Sequence, residues 1–69
     1  MHARAQDSKI LLDYREAASS LSMTRSALRD LVYRGKGPPI VKIGRRTYFA
    51  VSDLHAWIAR HRRTPPRDD

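Results

Sequence analysis

Arg25 and Arg29 stand four residues apart, with Thr24 and Ser26 at the start of the same stretch and Tyr33 one further turn along. On a helix that spacing puts both guanidinium groups on one face. A guanidinium can donate two parallel hydrogen bonds to the O6 and N7 edge of guanine, and the small hydroxyls of Thr24 and Ser26 suit a phosphate or a base edge near a helix N-terminus. A second set follows around Gly44: Lys42, Arg45, Arg46 and Thr47. Arginines beside a turn glycine project from a hairpin tip, where phosphates or a narrow minor groove come within reach. Lys42 alternates with Val41 and Ile43, so it is expected to face outward and join the same patch.

The residues alone leave a plainer reading open. Arg25, Arg29 and Asp30 could form an ordinary solvated face with Asp30 paired to one of the two arginines, and Arg45 and Arg46 could simply keep a turn soluble. Other chemistries find less material. There is no cysteine, and the three histidines are His2, His55 and His61. His55 and His61 are six apart, share no helical face and have no acidic companions at ligand spacing, so neither a metal nor another cofactor is expected. No nucleophile stands beside a base, and a chain of 69 residues is too short to enclose a substrate, so no enzyme is expected.

Charge supports the first reading. The chain carries 14 Lys and Arg against 7 Asp and Glu, a net charge of +7, and a pI of about 10.9. Residues 24–50 hold seven of the basic side chains against Asp30 alone, a net of +6 in one segment. A basic surface gathered over one stretch is the electrostatic footprint of a nucleic-acid binder. No apolar run approaches a membrane span, and the opening residues lack the apolar core of a signal peptide. A cytoplasmic location, on DNA, is the expectation.

These side chains need elements to hold them. Asp13 and Glu16 make a variant capping box, and Tyr14, Ala17, Ala18 and Leu21 recur on one helical face, which predicts a first helix over about 14–21. Thr24 caps a second helix whose apolar stripe is Ala27, Leu28, Leu31 and Val32, and Gly35 ends it. Only Ser22 and Met23 separate the two, which forces a tight corner with Met23 turned inward: a helix-turn-helix.

After a stiff connector over Lys36 to Pro39, Ile40 to Ile43 and Thr47 to Val51 read as a β-hairpin around Gly44, Arg45 and Arg46. Ser52 is expected to cap a last helix with Leu54, Trp57, Ile58 and His61 on one face, and with Arg60, Arg62 and Arg63 at its C-terminal end. The fold class is α+β, mostly α, a winged helix-turn-helix spanning residues 10–62, with flexible tails at 1–9 and 63–69. Its predicted core is Ala17, Leu21, Leu28, Leu31, Leu54, Trp57 and Ile58, joined by Tyr14 and Phe49 among the aromatics. Tyr33 and Tyr48 could serve either core or surface.

The ordered run Leu11, Leu12, Asp13, Tyr14, Arg15, Glu16, Ala17, Ala18, then Leu21, Met23, Thr24, Leu28, Leu31 and Gly35, resembles the opening of the excisionase and AlpA-like winged helix-turn-helix family. Gly37, Pro38, Pro39, then Lys42, Ile43, Gly44, Arg45, Arg46 and Tyr48, and finally Ser52, Asp53, Leu54, Ala56, Trp57 and Ile58, resemble its wing and closing helix. The likeness covers about residues 11–62.

It implies a small MerR-like fold that recognises specific DNA through residues corresponding to Arg25, Ser26 and Arg29, with wing contacts corresponding to Arg45 and Arg46. It also implies several copies side by side on bent DNA. The roles it implies are a phage excisionase, a recombination directionality factor that steers an integrase toward excision, or an AlpA-like transcription regulator using the same surface. A basic module that docks on a membrane or another protein is the alternative outside the family. One position departs from the pattern: the family usually has glycine in the corner that Ser22 occupies here, and serine tolerates positive φ poorly.

Overall fold

The computed structural model describes residues 9–65. Most of the tails expected at 1–9 and 63–69 lies outside the described residues. In chain order the elements are β1 (Leu11–Leu12), α1 (Tyr14–Ser20), α2 (Arg25–Tyr33), β2 (Val41–Ile43), β3 (Arg46–Ala50) and α3 (Val51–Arg60). The three strands form an antiparallel sheet ordered β1-β3-β2, so the hairpin is extended by a short strand that precedes the first helix. This is a winged helix-turn-helix, mostly helical.

Each end of α1 is closed by its own chemistry. The Asp13 side chain accepts from the Glu16 backbone N–H at 2.8 Å, and the Glu16 carboxylate accepts from the Asp13 N–H at 3.0 Å, so the capping box is reciprocal. At the other end the Ser22 N–H donates to the Ser19 carbonyl and the Met23 N–H to the Ala18 carbonyl, the bond pair of a Schellman motif. That motif requires a left-handed residue at its hinge. Ser22 supplies it with φ 58°, so serine adopts the conformation that glycine usually provides at this corner.

α2 repeats the design with its expected residues. Thr24 Oγ1 accepts from the Ala27 N–H at 3.1 Å, and Gly35 turns left-handed at φ 73°. Its N–H donates to Val32 and that of Lys36 to Leu31. The wing turn is tighter than the sequence suggests. Ile43 pairs with Arg46, which leaves only Gly44 and Arg45 in the loop. Gly44 has φ 65° while Arg45 stays at negative φ, the pattern of a type II′ hairpin turn. Arg46 is therefore a strand residue, and Arg45 alone stands at the tip with Gly44.

The last helix begins earlier than expected. Its N-cap is Ala50, which makes no side-chain cap bond, and Ser52 lies in the first turn. The reason is that β3 runs straight into the helix: the Val51 N–H donates to the Ile10 carbonyl at 2.9 Å, which extends the β1·β3 ladder by one bond and satisfies the first N–H of the helix from outside it.

The core lies where the helices meet one face of the sheet. Ala17, Ala18, Leu28, Phe49, Leu54 and Trp57 are buried, and Leu12, Tyr14, Leu21, Met23 and Val32 pack around the buried cluster. Tyr14 meets the Phe49 ring edge-on, with centroids 5.0 Å apart and planes at 81°. Leu31 is half-buried, and Ala27, expected on the apolar stripe, is exposed. Ile58, expected in the core, is 39% exposed. It borders a shallow apolar depression with Leu21 and Leu54, and no element among the described residues covers that side.

Strand alternation corrects a second expectation. Phe49 and Thr47 share the core-side face of the sheet, and Lys42 pairs with Thr47, so Lys42 belongs to that face, at its exposed outer end. Val41 and Ile43 take the opposite face, where Ile43 is 54% exposed.

Candidate nucleic-acid interface

α2 presents Thr24, Arg25, Ser26, Arg29, Asp30 and Tyr33 as one continuous outer surface. Thr24, Arg25, Ser26 and Arg29 are exposed, and so is Tyr33 at the far end of the row. The helix keeps these residues outward because Leu28 is fully buried on its other side and Val32 packs beneath it.

Beside this surface lies a cleft bordered by Asp13, Tyr14, Arg15, Arg25, Arg29, Arg46, Thr47 and Tyr48. It joins the start of α1, the outer face of α2 and the base of the wing. Arg25 and Arg29 belong to both surfaces, so the helix face and the wing form one cationic concavity. Of the expected wing residues, Arg46 and Thr47 border the cleft. Arg45 and Lys42 do not: both are exposed, Arg45 in the turn and Lys42 on the edge strand β2, level with Thr47.

Four arginines and one carboxylate border the cleft. That carboxylate, Asp13, is already engaged in capping α1. The pairing of Asp30 with Arg25 or Arg29 considered from sequence does not occur. Asp30 instead holds Arg34, one turn along the helix, at 3.2 Å. Among the described residues neither Arg25 nor Arg29 makes an ion pair, which leaves their donors available to an anionic ligand.

Tyr14 and Arg15 were not anticipated at this site. Tyr14 reads as a core residue, because its spacing to Ala17, Ala18 and Leu21 is that of an apolar helical face. In the fold it is half-buried, nearly perpendicular to Phe49 and with its ring under the Arg29 guanidinium, 5.5 Å from the centroid. Tyr48, ambiguous in sequence, also borders the cleft. No local pattern signals these neighbours, since each is brought in by contact between separate elements.

His55 and His61 are outside the cleft. His61 Nδ1 donates to the Trp57 carbonyl at 2.9 Å, and its ring lies against the Trp57 indole with centroids 4.4 Å apart. No helix among the described residues is long and apolar enough to cross a membrane.

A cationic groove shaped by a helix and a hairpin is suited to duplex DNA: a helix fits the major groove while the adjacent wing reaches the backbone. Comparison with curated proteins finds no match for the chain. The model of the helix-turn-helix domain family matches residues 11–62, the full span from β1 to the end of α3, and the chain therefore belongs to that family of DNA-binding domains.

Proposed function

We propose that the chain is an architectural protein of the excisionase kind, which binds and bends attachment-site DNA in several copies and directs an integrase toward excision. The observation that carries the reading is the shared cleft, in which Arg25 and Arg29 on α2 stand beside Arg46 and Thr47 on the wing. In this reading residues 10–62 are the DNA-binding domain. α2 enters the major groove, with Arg25, Ser26 and Arg29 at base edges and Thr24 at the backbone near the helix N-terminus. Tyr33 extends the contact at the other end of α2, and Lys42, Arg45, Arg46 and Thr47 grip the flanking phosphates or minor groove.

Bending follows from the energetics. Smoothly bending a short site costs on the order of 1–6 kcal/mol, and several protomers on one curved face recover it through phosphate contacts that a straight duplex would not offer. The role needs no catalytic group and no cofactor in this chain. Its partners are duplex DNA, further copies of itself and a cognate integrase.

The test is directional. With a phage integrase and DNA carrying its attachment sites, added protein should raise excision and depress integration. A protein that binds the same DNA, changes transcription nearby and leaves recombination direction untouched would instead be a regulator of the AlpA-like kind.

A further inference from the structure

Arg25 and Arg29 are common to the helix surface and the cleft, and of the two Arg29 is set over an aromatic ring. That ring is Tyr14, and it is itself immobilised. It packs nearly perpendicular to Phe49, which is fully buried at the centre of the core, and its backbone begins a helix fixed by the Asp13–Glu16 capping box. Phe49, Tyr14 and Arg29 thus form a stack that runs from the core to the DNA-facing surface. A long exposed arginine normally samples many rotamers, and ordering it on binding costs conformational entropy. A ring under the guanidinium favours one of those placements before any ligand arrives.

We propose that Tyr14 is a positioning residue for base recognition: its ring holds the Arg29 guanidinium over the cleft in the orientation that reads the duplex, so that sequence discrimination depends on a residue of α1. The inference rests on the DNA reading above. The ring supplies the hold through its π face, so the hydroxyl is dispensable and Tyr14→Phe keeps the function. Tyr14→Leu keeps apolar volume against Phe49 but removes the π face.

Two measurements test it. The first uses the free protein, by NMR: the Arg29 side-chain protons should be shifted upfield by the ring current of Tyr14, a shift kept in Tyr14→Phe and lost in Tyr14→Leu. The second uses duplexes selected by the native protein from a random pool, with a scrambled duplex as reference. Tyr14→Leu should reduce the preference for the selected duplex about fivefold or more, Tyr14→Phe should match the native protein, and Tyr14→Leu added to Arg29→Ala should have little further effect.

If the native protein selects no sequence, the DNA-reading assignment fails and Tyr14 falls with it. If it selects one and a folded Tyr14→Leu discriminates as the native protein does, the positioning role alone is overturned. Should Tyr14→Leu not fold, the native spectrum decides: unshifted Arg29 protons overturn the proposal.

Discussion

The indole Nε1 of Trp57 donates to the backbone carbonyl of Lys36 at 3.2 Å, so the closing helix is tied to the first residue after the left-handed glycine that ends α2. The bond spans 21 positions of sequence. It fixes α3 against the point at which the chain leaves α2 for the β2–β3 hairpin.

Trp57→Phe should remove that bond while keeping most of the buried surface, a loss of about 1–3 kcal/mol because the Lys36 carbonyl is left without its partner. Trp57→Ala should cost about 3–5 kcal/mol. A domain of this size holds only several kcal/mol in total, so the alanine variant is expected to be largely unfolded at room temperature. Urea unfolding followed by circular dichroism checks both, and an alanine variant as stable as the native chain would remove Trp57 from the core.

Ser22 carries the left-handed corner of the helix-turn-helix at φ 58°. A non-glycine residue in that region is disfavoured by about 1–2 kcal/mol, while glycine loses more chain entropy on folding. Ser22→Gly should therefore be a net stabilisation of about 0.5–1 kcal/mol, seen as a rise in Tm with DNA affinity unchanged. A lower Tm would mean that the serine side chain contributes something that the corner geometry alone does not reveal.

The corner also marks how far the sequence is legible. Its two helices were readable because their ends are encoded locally: Asp13 with Glu16 and Thr24 with Ala27 are bonds across three positions. Gly35 declares its own left-handed turn. The strand β1 was not readable, since Leu11 and Leu12 pair with Ala50 and Phe49, far away along the chain, and two residues carry no periodicity. The same pairing moved the start of α3 ahead of Ser52. Within the site, the arginines of α2 could be found from spacing, but Arg46 was placed at the tip because nothing local distinguishes a two-residue turn from a three-residue one. Ile58 satisfies a helical stripe and still stands at the edge, because no element among the described residues lies over it.

Lys9 and Glu16 form an ion pair that ties the chain before β1 to the first turn of α1. The hydrogen bond from the Lys9 ammonium, followed by the backbone bond from Asp13, holds the Glu16 carboxyl below its ordinary range. The same Glu16 bond raises the Lys9 ammonium above its own. A depressed carboxyl stabilises the fold above its unfolded pKa and loses that contribution as pH falls through the folded one. A raised ammonium stabilises below its unfolded pKa and loses it as pH climbs through the folded one. The pair therefore supports the fold across neutral pH and fades at both flanks. In Lys9→Ala the Glu16 pKa, followed by carboxyl NMR, should move part of the way back up, because the Asp13 N–H still donates to the carboxylate. An unmoved Glu16 would show that Lys9 does not act on it in solution.

On the proposed interface Arg29 and Arg46 do different work, though both border one cleft. Arg29 lies on the outer face of α2, where a bidentate contact distinguishes bases, so Arg29→Ala should cost about 1–3 kcal/mol on the selected duplex and relax preference at one position. Arg46 lies on the wing strand, where a phosphate is the natural target. Arg46→Ala should weaken selected and scrambled duplexes alike and lower the slope of log affinity against log salt by about one. Fluorescence anisotropy across a salt series separates the two. Equal weakening of both duplexes by Arg29→Ala would place that side chain on the backbone. A salt slope unchanged by Arg46→Ala would remove Arg46 from the phosphate contacts and leave the wing's electrostatic grip to Lys42 on the edge strand and Arg45 at the tip.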